Sequence, residues 1–180
     1  MKATFILFLI FCFSISFAQD EFAKGYIKMP KKDTMKGEIK LALKNDMDYY
    51  SKVYFRQKPN VKPKQFLPNK ITGYGFDEKH FAAMKFMDQW VYMQVICNGK
   101  ISVYEYKPPV SLGNETKESI YLVMKGGADE MTQLDPQGKL KKQLKPIFSD
   151  DKEILKELDK KDLDFKMALE LISRYNKNNL

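Results

Sequence analysis

The chain has 180 residues, 44% of them hydrophobic, with 31 Lys/Arg against 23 Asp/Glu for a formal net charge of +8. That length supports one domain with a real hydrophobic core. One histidine and two cysteines give no paired-cysteine or histidine spacing, which argues against a zinc site, and "DPQGK" (135–139) lacks the acidic positions of a calcium loop.

Residues 1–18 read "MKATFILFLIFCFSISFA". Lys2 precedes an apolar run from Phe5 to Phe17, and Ser16 and Ala18 form a small-x-small pair before the polar "QDEF". This is the order of a secretory signal peptide. The run falls short of the roughly 20 apolar residues that a membrane-spanning helix needs. Cys12 follows Phe11, whereas a small residue precedes the cysteine of a bacterial lipoprotein, so no lipid anchor is expected. Cleavage after Ala18 predicts a periplasmic or secreted chain of 162 residues out of 180. It removes Lys2 and no acid, taking the charge from +8 to +7. No transmembrane segment remains after processing, and Cys97 is left as the sole thiol, which burial would keep inert.

Residues 19–138 read as a β-rich domain. "KGYIKM", the turn "PKKD" and "TMKGEIKLAL" predict a hairpin, with Ile27, Met35, Ile39 and Leu41 at strand spacing. "KVYFR" (52–56) is a strand, and "KPNVKPKQFLPNK" a loop with at most a short edge strand. "ITGYGF" and "FAAMKFM" flank "DEKH" as another hairpin, with Gly73 and Gly75 marking a bulge or a close backbone approach. In "WVYMQVICNGKISVYEY" (90–106), a three-residue loop at Cys97-Asn98-Gly99 gives the cleanest separation of faces. It places Gly99 in the left-handed position, Ile96 opposite Lys100 and Met93 opposite Val103, with Val91, Met93, Val95, Ile101 and Val103 on one face. "SIYLVMKGGADEMTQL" reads as strand, Gly126-Gly127 turn, strand.

Residues 139–180 read as a helical segment packed on the β domain. Leu140, Leu144, Ile147 and Phe148 fit a short helix disturbed by Pro146. Asp150 with Glu153 suggests a capping box before Ile154, Leu155 and Leu158. "DLDFKMALELISRYNK" gives one broad apolar face, from Leu163 through Ala168 and Ile172 to Tyr175. A packed face is the simpler expectation, and helix-in-groove binding of a partner uses the same spacing. The expected fold is therefore mainly β (α+β): an antiparallel barrel or sandwich of seven to nine short strands with a C-terminal helical tail.

The chemistry-bearing residues are few. Cys97 and His80 are the only candidates for a thiol–imidazole dyad, and nothing in the sequence brings the two turns together. Glu105, Glu38 and Asp88 are strand-placed acids for carboxylate-only hydrolysis, with no pair favoured. No G-x-S-x-G and no phosphate-cradling loop is present, and "NET" (114–116) has the glycosylation pattern. From Ser51 to Phe76, Lys52, Arg56, Lys58, Lys62, Lys64 and Lys70 occur without an acid. Beside aromatic residues this suits an anionic partner, and export makes nucleic acid the wrong one. No catalytic residue, cofactor or metal ligand is assigned.

"GYIKMPKKDTMKGEI", "QVICNGKISVYEY" with "YLVMKGG", and the terminal "LELISRYN" resemble small secreted proteins of the Bacteroidetes type, as does the "SFAQ" junction. The resemblance implies an exported β domain with a terminal helix ending in Tyr-Asn and carries over no functional residue. The Asp-Cys-Pro that often opens the tail helix in that group is replaced here by "FSDDKEI". Together these readings predict a non-enzymatic binding or interaction module of the cell envelope. Its partner would be an envelope protein or an anionic envelope polymer. A carrier of a hydrophobic ligand is the second expectation and a carboxylate-based hydrolase the third.

Overall fold

The computed structural model describes residues 21–31, 33–41, 46–108, 118–127, 130–160 and 162–179. The signal peptide expected over 1–18 and the glycosylation motif at 114–116 lie outside them. The first hairpin forms where the alternating pattern puts it, from β1 (Phe22–Lys28) and β2 (Thr34–Lys40), with Ile27 opposite Met35 and Tyr26 opposite Lys36. A 3₁₀ turn, Asp46–Tyr50, leads to β3 (Val53–Arg56) and the short edge strand β4 (Lys64–Phe66). Then come β5 (Gly73–Phe76), β6 (Lys79–Phe86), β7 (Gln89–Cys97), β8 (Ile101–Tyr106), β9 (Ile120–Lys125) and β10 (Thr132–Leu134).

All ten described strands join one antiparallel sheet in the order β10-β9-β8-β7-β6-β5-β1-β2-β3-β4. The protein is mainly β, but the sheet stays open: the described residues form ten strands rather than seven to nine, and they do not close into a barrel, one of the two architectures expected. Both edges, β4 and β10, are three residues long. Such stubs offer few backbone groups for a further ladder, and short edges also discourage pairing with another chain.

Alternation fixes one inner face. Ile27, Ile39, Phe55, Tyr74, Phe81 and Tyr92 line it and are buried, and Tyr49 and Tyr50 of the 3₁₀ turn come down onto Phe81. Tyr74 stacks on Phe81 with ring centroids 4.6 Å apart and takes the edge of Tyr92 at 4.8 Å. Its hydroxyl donates to the Tyr49 carbonyl at 2.5 Å, so the buried phenol is satisfied. Burial, reinforced by the neighbouring tyrosines, pushes its pKa far above the ordinary phenol value.

The tail forms α1 (Leu140–Ile147), α2 (Lys152–Lys160) and α3 (Phe165–Asn178). Leu144, Phe148, Ile154, Leu158, Ala168, Ile172 and Tyr175 bury against Ile101, Val103, Val123 and Leu134 of the sheet. Each aliphatic side chain buried this way contributes roughly 1.5–3 kcal/mol. An exposed ion pair such as Lys145–Asp159 is screened by solvent and contributes little, so packing and not charge holds the tail. The cap of α2 is Asp151, whose Oδ1 accepts from the amides of Glu153 and Ile154 at 3.0 Å. Asp150, expected in that role, instead accepts from Lys125 at 2.7 Å and from the Tyr175 hydroxyl at 2.7 Å.

The β7–β8 register departs from expectation. Gln94 faces Glu105, Val95 faces Tyr104 and Cys97 faces Val103, with a bulge at Ile96. Ile101 and Val103 therefore join the helix-facing core, while Val91, Met93 and Val95 lie on the opposite face of the sheet. The reason is that β8 is buried on both sides, from Ile101 through Tyr106. A strand without a polar face gives the hydrophobic pattern nothing with which to choose a register. Gly99 is not left-handed either; among the described residues the positive-φ glycine is Gly127.

Candidate binding face and groove

Where β1 and β2 alternate, the residues that do not enter the core form an outward row. On β1 these are Phe22, Lys24, Tyr26 and Lys28; on β2 they include Lys36, opposite Tyr26, and Glu38, opposite Lys24. Lys24, Lys28 and Lys36 are exposed and have no carboxylate partner among the described residues. The one acid in the row is already taken: Arg56 Nε donates to Glu38 at 2.7 Å, and the same guanidinium lies 3.5 Å from the Phe22 ring centroid.

The row continues into a groove of about 430 Å³ over β5 and β6, bordered by Tyr26, Lys28, Gly73, His80, Val95 and Tyr104. Gly75, the strand partner of Tyr26, lies beneath the Tyr26 ring. A Cβ there would lie 2.7 Å from the Tyr26 ring and 2.8 Å from His80 Nδ1, so only glycine lets the ring cross the strand. The Tyr26 hydroxyl lies 2.9 Å from His80 Nδ1, and Lys28 Nζ sits 5.6 Å from the Tyr26 ring centroid. Partial burial raises the Tyr26 pKa above the ordinary phenol value. The arrangement offers ammonium groups, an imidazole and a fixed ring on an open surface. It can hold an anionic chain.

The candidate catalytic residues do not assemble. His80 is committed to Tyr26 on the groove side, whereas Cys97 packs on the helix side and accepts from Asn176 Nδ2 at 3.5 Å. The dyad is not formed. Glu105 is buried and accepts from Ser119 at 2.6 Å, Tyr50 at 3.2 Å and Tyr121 at 3.3 Å. Glu38, on β2, is held by Arg56 and is separated from β8 by the four strands β1, β5, β6 and β7. Asp88 sits at an exposed turn with Lys85 at 3.1 Å. No two of these acids face each other across a cleft. Among the described residues no cluster of three or more His, Cys, Asp or Glu side chains is placed to hold a metal ion, and no described helix is long and apolar enough to cross a membrane.

Of the basic stretch at 51–76, Lys52 pairs with Asp48 and Arg56 with Glu38. The outward lysines of β1 and β2 were not singled out from sequence, although the strict alternation of "KGYIK" and "TMKGEIK" carried the signal. No family model, no curated protein and no solved structure matches the chain.

Proposed function

We propose that the protein is an exported, non-enzymatic envelope module that holds an anionic polymer on the outer face of β1, β2, β5 and β6. The observation that carries this reading is the row Lys24, Tyr26 and Lys28 with Lys36 alongside: three exposed ammonium groups around a fixed aromatic ring. An extended, open face suits a chain that lies along it better than a small molecule that needs enclosure. The "SFAQ" junction and the resemblance to small secreted Bacteroidetes-type proteins support the export half of the proposal. The hydrolase expectation finds no support in the placement of Glu38, Asp88 and Glu105. The carrier expectation finds little, because the core is filled by Tyr74, Tyr92, Ile27, Ile39 and Met93.

The test titrates the protein with polygalacturonate and with neutral dextran. Polygalacturonate is expected to bind, and to be released as salt approaches 1 M, where the screening length is about 3 Å. The triple variant K24E/K28E/K36E is expected to lose affinity by roughly tenfold or more, since reversing charge on one surface acts on every contact at once. Equal binding of dextran, or an unaltered affinity in the triple variant, refutes the proposal.

A further inference from the structure

The hairpin joining β6 to β7 carries a feature that the polymer-binding face does not use. Its two-residue turn, Met87-Asp88, has positive φ at both positions, 46° and 63°. That geometry favours Asn, Asp and Gly. Asp88 fits it; Met87 does not. Met87 is nevertheless 77% exposed, and Trp90, three residues on, is 52% exposed. A thioether in a left-handed turn gains nothing from the fold when it touches solvent, and large apolar groups clustered at one exposed point mark interaction surfaces.

We propose that this hairpin tip is a bilayer-contact element, inserting Met87 and Trp90 into the interfacial layer of a membrane that carries anionic lipids. Three observations select that partner. Residues 87–90 are all exposed, so the tip is convex and cannot enclose a small molecule, whereas a fluid interface moulds around it. Lys85 lies directly opposite Trp90, and an amphipathic indole beside a flexible ammonium is the pairing that anchors proteins at headgroup depth. The Lys85 ammonium, 3.1 Å from the Asp88 carboxylate, offsets the one charge that opposes insertion, and the chain carries +8, or +7 once residues 1–18 are removed, which favours an anionic leaflet.

Trp90 is the sole tryptophan of the chain, so its emission reports on this tip alone. Vesicles of phosphatidylglycerol are expected to shift the emission to the blue, and acyl-brominated phosphatidylglycerol to quench it. Phosphatidylcholine vesicles are expected to do both more weakly. Met87→Asn suits the turn and should leave the melting temperature unchanged or higher, while weakening vesicle affinity by roughly fivefold. Persistence of the Trp90 response in K24E/K28E/K36E supports insertion by the tip independently of the polymer face. Unmoved Trp90 emission in vesicle-bound protein, or a Met87→Asn variant that binds like the parent, overturns the proposal. Either result leaves polygalacturonate binding as it was, so the two proposals fail separately.

Discussion

Asn176, in the last turn of α3, is expected to be the most costly polar truncation among the described residues. Its side chain grips the backbone of β8 at both ends: Oδ1 accepts from Ile101 N at 2.8 Å, and Nδ2 donates to Ile101 O at 2.7 Å. These groups lie beyond Cys97–Val103, the last pair of the β7–β8 ladder, so the amide fills the place that a longer β7 would have taken. Asn176 is 7% exposed and Ile101 is fully buried. Asn176→Ala therefore strands one buried N–H and one buried C=O, at about 1–3 kcal/mol each, and a loss of roughly 2–6 kcal/mol follows. Urea unfolding followed by Trp90 fluorescence measures it, and hydrogen exchange at the Ile101 amide should accelerate in the variant. Gly99 supplies an internal control. A Cβ on Gly99 would collide with Cγ, Nδ2 and Oδ1 of Asn176, so Gly99→Ala should cost stability in the parent and much less in the Asn176→Ala background. An Asn176→Ala loss below about 0.5 kcal/mol, within the range of ordinary surface changes, would refute the clamp. So would a Gly99→Ala cost that is the same in both backgrounds.

Three other outcomes follow from the same geometry. Hydrogen bonds from Lys125 and Tyr175 hold the Asp150 carboxyl down at about 2. Its stabilising contribution is therefore present above the ordinary carboxylate pKa near ~3.9 and fades as pH falls towards 2. Melting temperatures across that window should fall less steeply in Asp150→Asn than in the parent, and identical slopes would remove Asp150 from the acid response. Burial raises the Tyr74 and Tyr92 phenols well above their usual range, so the stability that they carry is complete below pH ~10 and declines as pH rises beyond it. Ultraviolet titration should show these two ionising only together with unfolding; gradual ionisation in a folded protein would contradict the packing described. Finally, Gly75→Ala should push the Tyr26 ring off the strand, shift the His80 imidazole resonances and weaken polygalacturonate binding. Unchanged His80 resonances would show that the ring does not rest there.

Much of the architecture is legible in short-range pattern. The "KGYIKM … TMKGEI" hairpin, the turn at Gly126-Gly127 and the apolar stripes of the three helices each follow from a local period that a few residues suffice to state. The β6–β7 turn was missed because Met-Asp is not the residue pair that a left-handed two-residue turn favours. The capping role passed from Asp150 to Asp151 because two adjacent aspartates offer the same local chemistry, and Lys125 and Tyr175, distant in sequence, claim the first.

The candidate face divides in the same way. Alternation along β1 and β2 determined that Lys24, Tyr26, Lys28 and Lys36 share one side of the sheet, since side chains a period of two apart must point the same way. Only tertiary structure decided that β5 inserts beside β1, which brings Gly75 beneath Tyr26 and His80 within reach of its hydroxyl. Tertiary structure also set the β7–β8 register, through a helix-borne amide that takes hold of Ile101 from 75 residues away. Sequence settles what neighbours along the chain compel one another to do. Pairings across such separations depend on which surfaces meet once the core has formed, and short-range periodicity does not encode that.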